Sequence, residues 1–280
     1  MSQLFFKKLE FGLNITHINI IMNYSTRTIK RIMKDIHILE ECRNDLEKSG
    51  IYFYYDESNL GKFYFIITGE EDTPYDKGIY PFKLKISKDP VNEYPFSPPI
   101  VKFILPNDGI SRMNPNLYID GKVCLSMINT WHGPGWRPTY TLDKIMLAIK
   151  ALVLGEKYPL INEPGYELDS YSKINTIIVN KNNKTNEEIY YEKLKLYNIC
   201  IEHQNFALAI IKMFLMKDEK DYKMFHKIIN DFIIKNKNYY IEKLNKLINT
   251  YKNKFFIEPV YSMKIQNNYK KMLKIINEFN

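Results

Sequence analysis

The run Asn114-Pro115-Asn116-Leu117-Tyr118-Ile119-Asp120-Gly121-Lys122-Val123-Cys124-Leu125-Ser126 decides how this chain is read. It sets a side-chain amide, Asn116, eight residues ahead of a thiol, Cys124, with the turn pair Asp120-Gly121 between them. A covalent thioester carrier needs such a pair: a sulfur to hold an acyl group, and an amide N–H to stabilise the tetrahedral oxyanion as the acyl group moves on. No general base stands beside the cysteine in sequence, which suits a thioester that must survive until its acceptor arrives. Singly the residues are ordinary. Val123-Cys124-Leu125 has the composition of a buried, inert thiol, and Asn-Pro-Asn is a turn signal. The spacing joins them.

Upstream, Ile29, Ile32, Met33, Ile36, Leu39 and Cys42 recur every three or four residues, which places them on one face of a helix starting at Thr26. Ser25 or Thr26 can cap its start, and Lys30, Arg31 and Lys34 fall mainly on other faces. Four strand-like segments follow, Ile51–Tyr55, Phe63–Thr68, Ile79–Ser87 and Ile100–Leu105, rich in β-branched and aromatic residues and separated by turn residues. The prolines of Tyr94-Pro95-Phe96-Ser97-Pro98-Pro99 are too dense for a central strand. Downstream of Cys124 come an aromatic loop, Trp131 to Pro138, and a helix from Thr141 to about Glu156, with Leu142, Ile145, Met146, Ile149, Leu152 and Val153 on its apolar side. The plan is α+β: an N-terminal helix, a four-stranded antiparallel meander, an active-site loop and following helices. From about Asn186 to Phe279 the pattern is lysine-rich and helical, which predicts an all-helical C-terminal extension of three to five helices. The expected divisions are a leader over 1–25, a core domain over 26–167, a polar linker over 168–185 and the extension over 186–280.

Composition bounds the function. At 280 residues with 45% hydrophobic and 26% charged residues, the chain has the make-up of an ordinary globular protein. Its net charge of +8 comes from lysines scattered among asparagine, isoleucine and tyrosine, with no zinc spacing or RNA-binding motif, so nucleic acid is not expected as its main partner. No apolar run reaches the ~18 residues of a spanning helix, and the interrupted N-terminus MSQLFFKKLEFGLN does not read as a signal peptide. Three scattered cysteines, Cys42, Cys124 and Cys200, do not suggest a disulfide framework. They fit a reducing compartment, cytoplasmic or nuclear, which a thioester cysteine also requires.

The run around Cys124 resembles the active-site signature of ubiquitin-conjugating enzymes, with asparagine at 114 where that family usually has histidine. In this it is similar to a branch of large conjugating enzymes that carry Asn-Pro-Asn. The resemblance covers roughly residues 26–167. It includes the first helix, the turn Gly69–Tyr80 with Thr73-Pro74-Tyr75 and Gly78, the loop around Phe96, and Trp136-Arg137-Pro138. It implies that Cys124 accepts the C-terminal glycine of ubiquitin, or of a ubiquitin-like protein, from an activating enzyme. Asn116 would then stabilise the oxyanion as a substrate lysine attacks, and Asn114 would brace the loop through its amide. It further implies that Lys30, Arg31, Lys34, Phe96 and Pro138 meet the activating enzyme and, where one is used, a ubiquitin ligase. Leu147 and Ala151 would pack donor ubiquitin. In Gly155–Glu163, Asn162 or Glu163 is the candidate to gate the incoming lysine. The chain itself needs no cofactor or metal, ATP being used by the upstream activating enzyme. In the extension, Tyr197-Asn198 through Cys200 and Glu202-His203 resembles the same branch.

Two other readings compete. An adaptor of this fold with no catalysis would lack the cysteine that is present here. A cysteine hydrolase would need an imidazole oriented beside the sulfur, and His132, next to Gly133-Pro134, reads as a loop residue.

Overall fold

The computed structural model describes residues 24–106, 108–167, 185–252 and 255–280, so the expected leader and linker lie almost wholly outside the described residues. Helix α1, Thr26–Glu41, begins where the Ser25 side chain accepts a hydrogen bond from the Thr28 amide (3.2 Å), a standard N-cap arrangement. Its buried face combines Ile32, Ile36 and Leu39 with two polar residues, Thr28 and Asp35. Thr28 Oγ1 donates to the Tyr94 carbonyl (2.7 Å), and Asp35 accepts from the Tyr94 hydroxyl and pairs with Arg31 (3.0 Å). The polar positions thus anchor the proline-rich loop that follows the sheet's third strand. A short helix, α2, occupies Arg43–Lys48.

Strands β1 (Ile51–Tyr55), β2 (Lys62–Thr68), β3 (Ile79–Lys85) and β4 (Ile100–Phe103) form one sheet in sequence order, the meander expected. β1 and β2 pair antiparallel, with Ile51 opposite Ile67 and Tyr55 opposite Phe63. β2 is buried from Phe63 to Thr68, the pattern of a strand covered on both faces. Phe65 and Phe82 stack with ring centroids 5.0 Å apart. β3 and β4 each end two residues earlier than the apolar runs suggested.

Helix α3 spans Leu142–Ile149 and then loosens into a π-helical turn, Lys150–Leu154. This corrects one expectation. Leu152, assigned to the apolar side of a regular helix, is 61% exposed, because the wider π turn shifts every later side chain around the axis.

The described residues form two compact units. One gathers residues up to Ile67 with Pro81–Lys102 and Val123–Ile149; the other gathers Thr68–Tyr80, Phe103–Lys122 and residues from Lys150 onward. The second contains the extension. Helix α4, Asn186–Gln204, starts at a reciprocal capping box between Thr185 and Glu188 and buries Tyr190, Leu194, Tyr197 and Ile201 at helical spacing. It continues as a π-helical stretch, Asn205–Lys212, and returns to α geometry at Met213–Leu215. Helices α5 (His226–Lys235) and α6 (Lys237–Tyr251) follow, and α7 (Tyr269–Asn277) packs on α6. Between α6 and α7 lies a feature absent from the all-helical expectation: an antiparallel hairpin of β5 (Phe255–Glu258) and β6 (Met263–Gln266). Phe256, Glu258, Met263 and Ile265 face inward. The period is two, and the buried Glu258 carboxylate accepts from the Val260 (2.6 Å) and Tyr261 (2.8 Å) amides to close the turn.

Candidate active site

The residues of the Asn-Pro-Asn run are organised by Asn114, which is fully buried. Its Nδ2 donates to the Tyr75 hydroxyl (2.8 Å) and to the Val153 carbonyl (3.0 Å), while its Oδ1 accepts from the Asn116 backbone amide (2.7 Å). One side chain therefore sets the backbone orientation of Asn116, ties the loop to Tyr75, and satisfies a carbonyl at a helix end. The last carbonyls of any helix lack intrahelical donors. Here Asn114 takes that of Val153, and Asn162 Nδ2 takes that of Leu152 (3.0 Å). The Tyr75 hydroxyl in turn donates to the Met113 carbonyl (2.9 Å). Burial pushes its ionisation far above that of an exposed tyrosine, so it remains a neutral donor.

Cys124 lies in the other unit, in an extended segment just ahead of the 3-10 turn Ser126–Ile128, and is 2% exposed. The peptides on both sides of it are pinned by one hydroxyl. Thr130 Oγ1 accepts from the Leu125 amide (2.9 Å) and donates to the Val123 carbonyl (2.7 Å). The thiolate is the reactive form of a cysteine, and the other two cysteines are held as thiols. Burial, reinforced by the negative charges of Asp143 and Asp45, raises the Cys42 thiol, and burial with Glu258 nearby pushes Cys200 up to about 12.

The remaining residues singled out by sequence divide by accessibility. Lys30 and Lys34 are exposed on α1. Arg31, expected with them as a docking residue, is less accessible than they are: its side chain is 13% exposed, and its guanidinium pairs with Asp35 and donates to the Pro138 and Tyr140 carbonyls. An arginine fork beside a buried carboxylate gains more from these fixed acceptors than from solvent. Phe96 is 58% exposed with the Arg27 guanidinium 5.4 Å from its ring centre, and Pro138 is exposed. In the same unit, the Trp136 indole donates to the Pro95 carbonyl (2.6 Å), holding the two loops that bear Phe96 and Pro138. Leu147 and Ala151 are each exposed. Glu163, the alternative to Asn162, accepts from the Tyr261 hydroxyl, and His132 is an exposed loop residue. Among the described residues, no three His, Cys, Asp or Glu side chains are grouped to hold a metal ion.

Sequence reading missed the hydroxyl of Tyr75 as the partner of Asn114, and it passed over Arg112. The Arg112 Nε and Nη2 donate to the carbonyls of Asn114 (3.2 Å) and Pro115 (2.7 Å). An arginine two residues ahead of a turn motif carries no signal by itself, and only the fold shows where its guanidinium points.

A four-stranded meander following an N-terminal helix, with a buried thiol downstream of a braced Asn-Pro-Asn turn, matches one known class of protein. The family model described as ubiquitin-conjugating enzyme matches residues 31–188, more than half of the chain. The chain belongs to the ubiquitin-conjugating enzyme family. It is 32% identical over 190 residues to ubiquitin-conjugating enzyme E2 Z of Xenopus tropicalis, covering 68% of this chain and 51% of that protein. It is 43% identical over 123 residues to probable ubiquitin-conjugating enzyme E2 R521 of Acanthamoeba polyphaga mimivirus, covering 42% of this chain and 8% of that protein. The solved structure of human ubiquitin-conjugating enzyme E2 G1 is 29% identical, with a TM-score of 0.32, and the match covers 41% of this chain and 89% of that one. The matches to E2 Z of Xenopus tropicalis and Danio rerio span about half the length of those relatives.

Proposed function

We propose that this chain carries ubiquitin, or a ubiquitin-like protein, as a thioester on Cys124 and delivers it to lysine side chains. The observation that carries this reading is the spacing of Asn114-Pro115-Asn116 and Cys124 in a chain of the ubiquitin-conjugating enzyme family. We assign residues 26–167 as the conjugating core and place the chain in the Asn-Pro-Asn branch, working in a reducing compartment, cytoplasm or nucleus.

Two acyl transfers make up the reaction. In the first, the Cys124 thiolate attacks the thioester carbonyl on the activating enzyme, and the activating enzyme's cysteine leaves as thiolate. Since Cys124 is 2% exposed, loading requires its surroundings to yield and uncover the sulfur. In the second, a neutral lysine amine attacks the Cys124 thioester. The oxyanion that forms is stabilised by the Asn116 side-chain amide; its collapse forms the isopeptide bond, expels the Cys124 thiolate and releases the amine's proton. Asn114 keeps the Asn116 backbone in place, and Asn162 gates the incoming lysine. Lys30 and Lys34 meet the activating enzyme or a ligase, Phe96 and Pro138 meet a ligase, and Leu147 and Ala151 pack the donor. Arg31 serves the same surface indirectly, by bracing the Pro138–Tyr140 backbone.

An oxyanion donor is worth on the order of 3–4 kcal/mol in acyl transfer, or roughly 10²–10³ in rate. Asn116→Ala is therefore expected to slow discharge to lysine by that factor while loading continues. The deciding experiment incubates the chain with activating enzyme, ubiquitin and ATP, and resolves the products with and without reductant. The reading expects one reductant-sensitive adduct, lost in Cys124→Ala and retained in Cys42→Ala and Cys200→Ala. A folded chain that forms no adduct with ubiquitin or any ubiquitin-like protein would refute it.

A further inference from the structure

Two residues of the extension, Tyr197 and Tyr261, meet Arg112, which in turn holds the Asn-Pro-Asn run. Its guanidinium holds the backbone carbonyls of Asn114 and Pro115 at 3.2 and 2.7 Å, so two successive peptides of the motif are fixed by one rigid fork. Arg112 is itself held on three sides. Its guanidinium carbon stacks 3.3 Å from the centre of the Tyr118 ring, within the same loop. From the hairpin that follows α6, Tyr261 presents its ring with the centroid 5.1 Å away, a cation–π distance. From α4, the Tyr197 hydroxyl donates to the Arg112 backbone carbonyl (2.8 Å). The two extension tyrosines also support each other, their ring centroids lying 5.9 Å apart, and the Tyr261 hydroxyl is spent on Glu163. Tyr197 is fully buried, so it is placed by the packing of α4 and has no freedom to follow a wandering loop.

We infer that Arg112, clamped by Tyr197 and Tyr261, is the positioning residue for the Asn114–Asn116 backbone, and that the C-terminal extension is thereby part of the transfer machinery. This rests on the assignment of Asn116 as the oxyanion donor. The physical logic is that a donor acts only if it is fixed where charge develops, and a misplacement near 1 Å costs about 10²-fold in rate. Asn114 holds the motif from its side-chain face and Arg112 from its carbonyl face. Losing either leaves the turn with its own Leu117 amide to Asn114 carbonyl bond (2.9 Å) and one side-chain clamp in place of two. Arg112 acts through Asn116, by holding the peptides that lead into it. Lysine in its place keeps the charge but has no planar fork to reach two carbonyls at once.

The test uses the full chain charged with ubiquitin, with ATP then removed, and follows discharge to free lysine at saturating lysine in a single turnover. Arg112→Lys is expected to lower the discharge rate roughly ten- to hundred-fold, with loading by the activating enzyme unchanged. Tyr197→Phe, which removes one hydroxyl and keeps the ring, is expected to lower it several-fold, and it carries the test should Arg112→Lys fail to fold. Because the effect runs through Asn116, adding Arg112→Lys or Tyr197→Phe to Asn116→Ala is expected to slow discharge no further. Multiplicative losses in the double variants would overturn the inference. So would loading and discharge falling together with the melting temperature. A wild-type chain that takes up no ubiquitin refutes the thioester reading itself, and the clamp with it, whereas a wild-type chain that loads and discharges normally beside multiplicative variants refutes the clamp alone.

Discussion

Asn114 makes three hydrogen bonds from a fully buried position, and replacing it with alanine removes all three without touching the surface of the protein. A typical internal hydrogen bond contributes about 0.5–1.5 kcal/mol net, and a buried group left without its partner costs about 1–3. The losses are unequal. The Tyr75 hydroxyl keeps the Met113 carbonyl as its acceptor, so its share is small. The Asn116 amide and the Val153 carbonyl lose the partners shown here. Together these give roughly 2–5 kcal/mol for Asn114→Ala, and at about 2–4 °C per kcal/mol for a chain of this size class, a melting temperature lower by roughly 4–20 °C. Asn114→Asp sharpens the test. It is nearly isosteric and keeps an acceptor for Asn116, but its carboxylate can donate to neither Tyr75 nor Val153, and burial penalises its charge. It is expected to unfold at least as early as the alanine variant at neutral pH. Thermal unfolding followed by far-ultraviolet circular dichroism measures both. A loss below about 1 kcal/mol in either variant would show that the amide is not the hub described.

Further expectations come from other parts of the structure. At Gly78 an added Cβ would lie 1.9 Å from Asn205 Oδ1, which accepts from the Tyr80 hydroxyl (2.6 Å), so Gly78→Ala should destabilise by about 1–3 kcal/mol in urea unfolding. Arg31→Ala strands the buried Asp35 and frees the Pro138 and Tyr140 carbonyls; a loss of roughly 3 kcal/mol is expected, with faster amide exchange at Tyr140. His203 is buried, its Nε2 lies 3.0 Å from Asn268 Oδ1, and burial lowers its pKa from the ordinary 6.5. The unfolded chain therefore binds the proton more readily, and stability falls as pH drops below about 6.5; the melting temperature of His203→Gln should depend less on pH between 7.5 and 5.5 than that of wild type. Phe96→Ala should leave the melting temperature and loading unchanged while lowering ligase-stimulated discharge, and ligase stimulation of the variant equal to that of wild type would count against its docking role.

The three-to-four periodicity placed α1 and the start of α3, and runs of β-branched and aromatic residues bounded by turns placed the four strands, because both patterns are local properties of sequence. They failed where geometry changes within an element or a short element is embedded among helices. The π turn at Lys150–Leu154 carries Leu152 into solvent, and no residue type signals that widening. The β5–β6 hairpin is two strands of four residues each, too short to interrupt a lysine-rich helical pattern by eye. Lys30, Arg31 and Lys34 looked alike in sequence, yet Arg31 turns inward because Asp35, one helical turn on, is buried beside it.

The sequence by itself determined the α+β order, the candidate thiol and amide, and their spacing, since these depend on residue type and separation along the chain. Only the tertiary structure decided which groups hold the amide in place. Tyr75, Val153, Tyr197 and Tyr261 lie 37 or more residues from Asn114–Asn116 on either side, and a hydrogen bond is selected by the position of its donor and acceptor in space. The extension shows the same division. Its helices were legible from their apolar stripes, whereas its connection to the Asn-Pro-Asn run passes through Tyr197, which is buried, and Tyr261, which is half-buried, and the neighbours of both are fixed by packing.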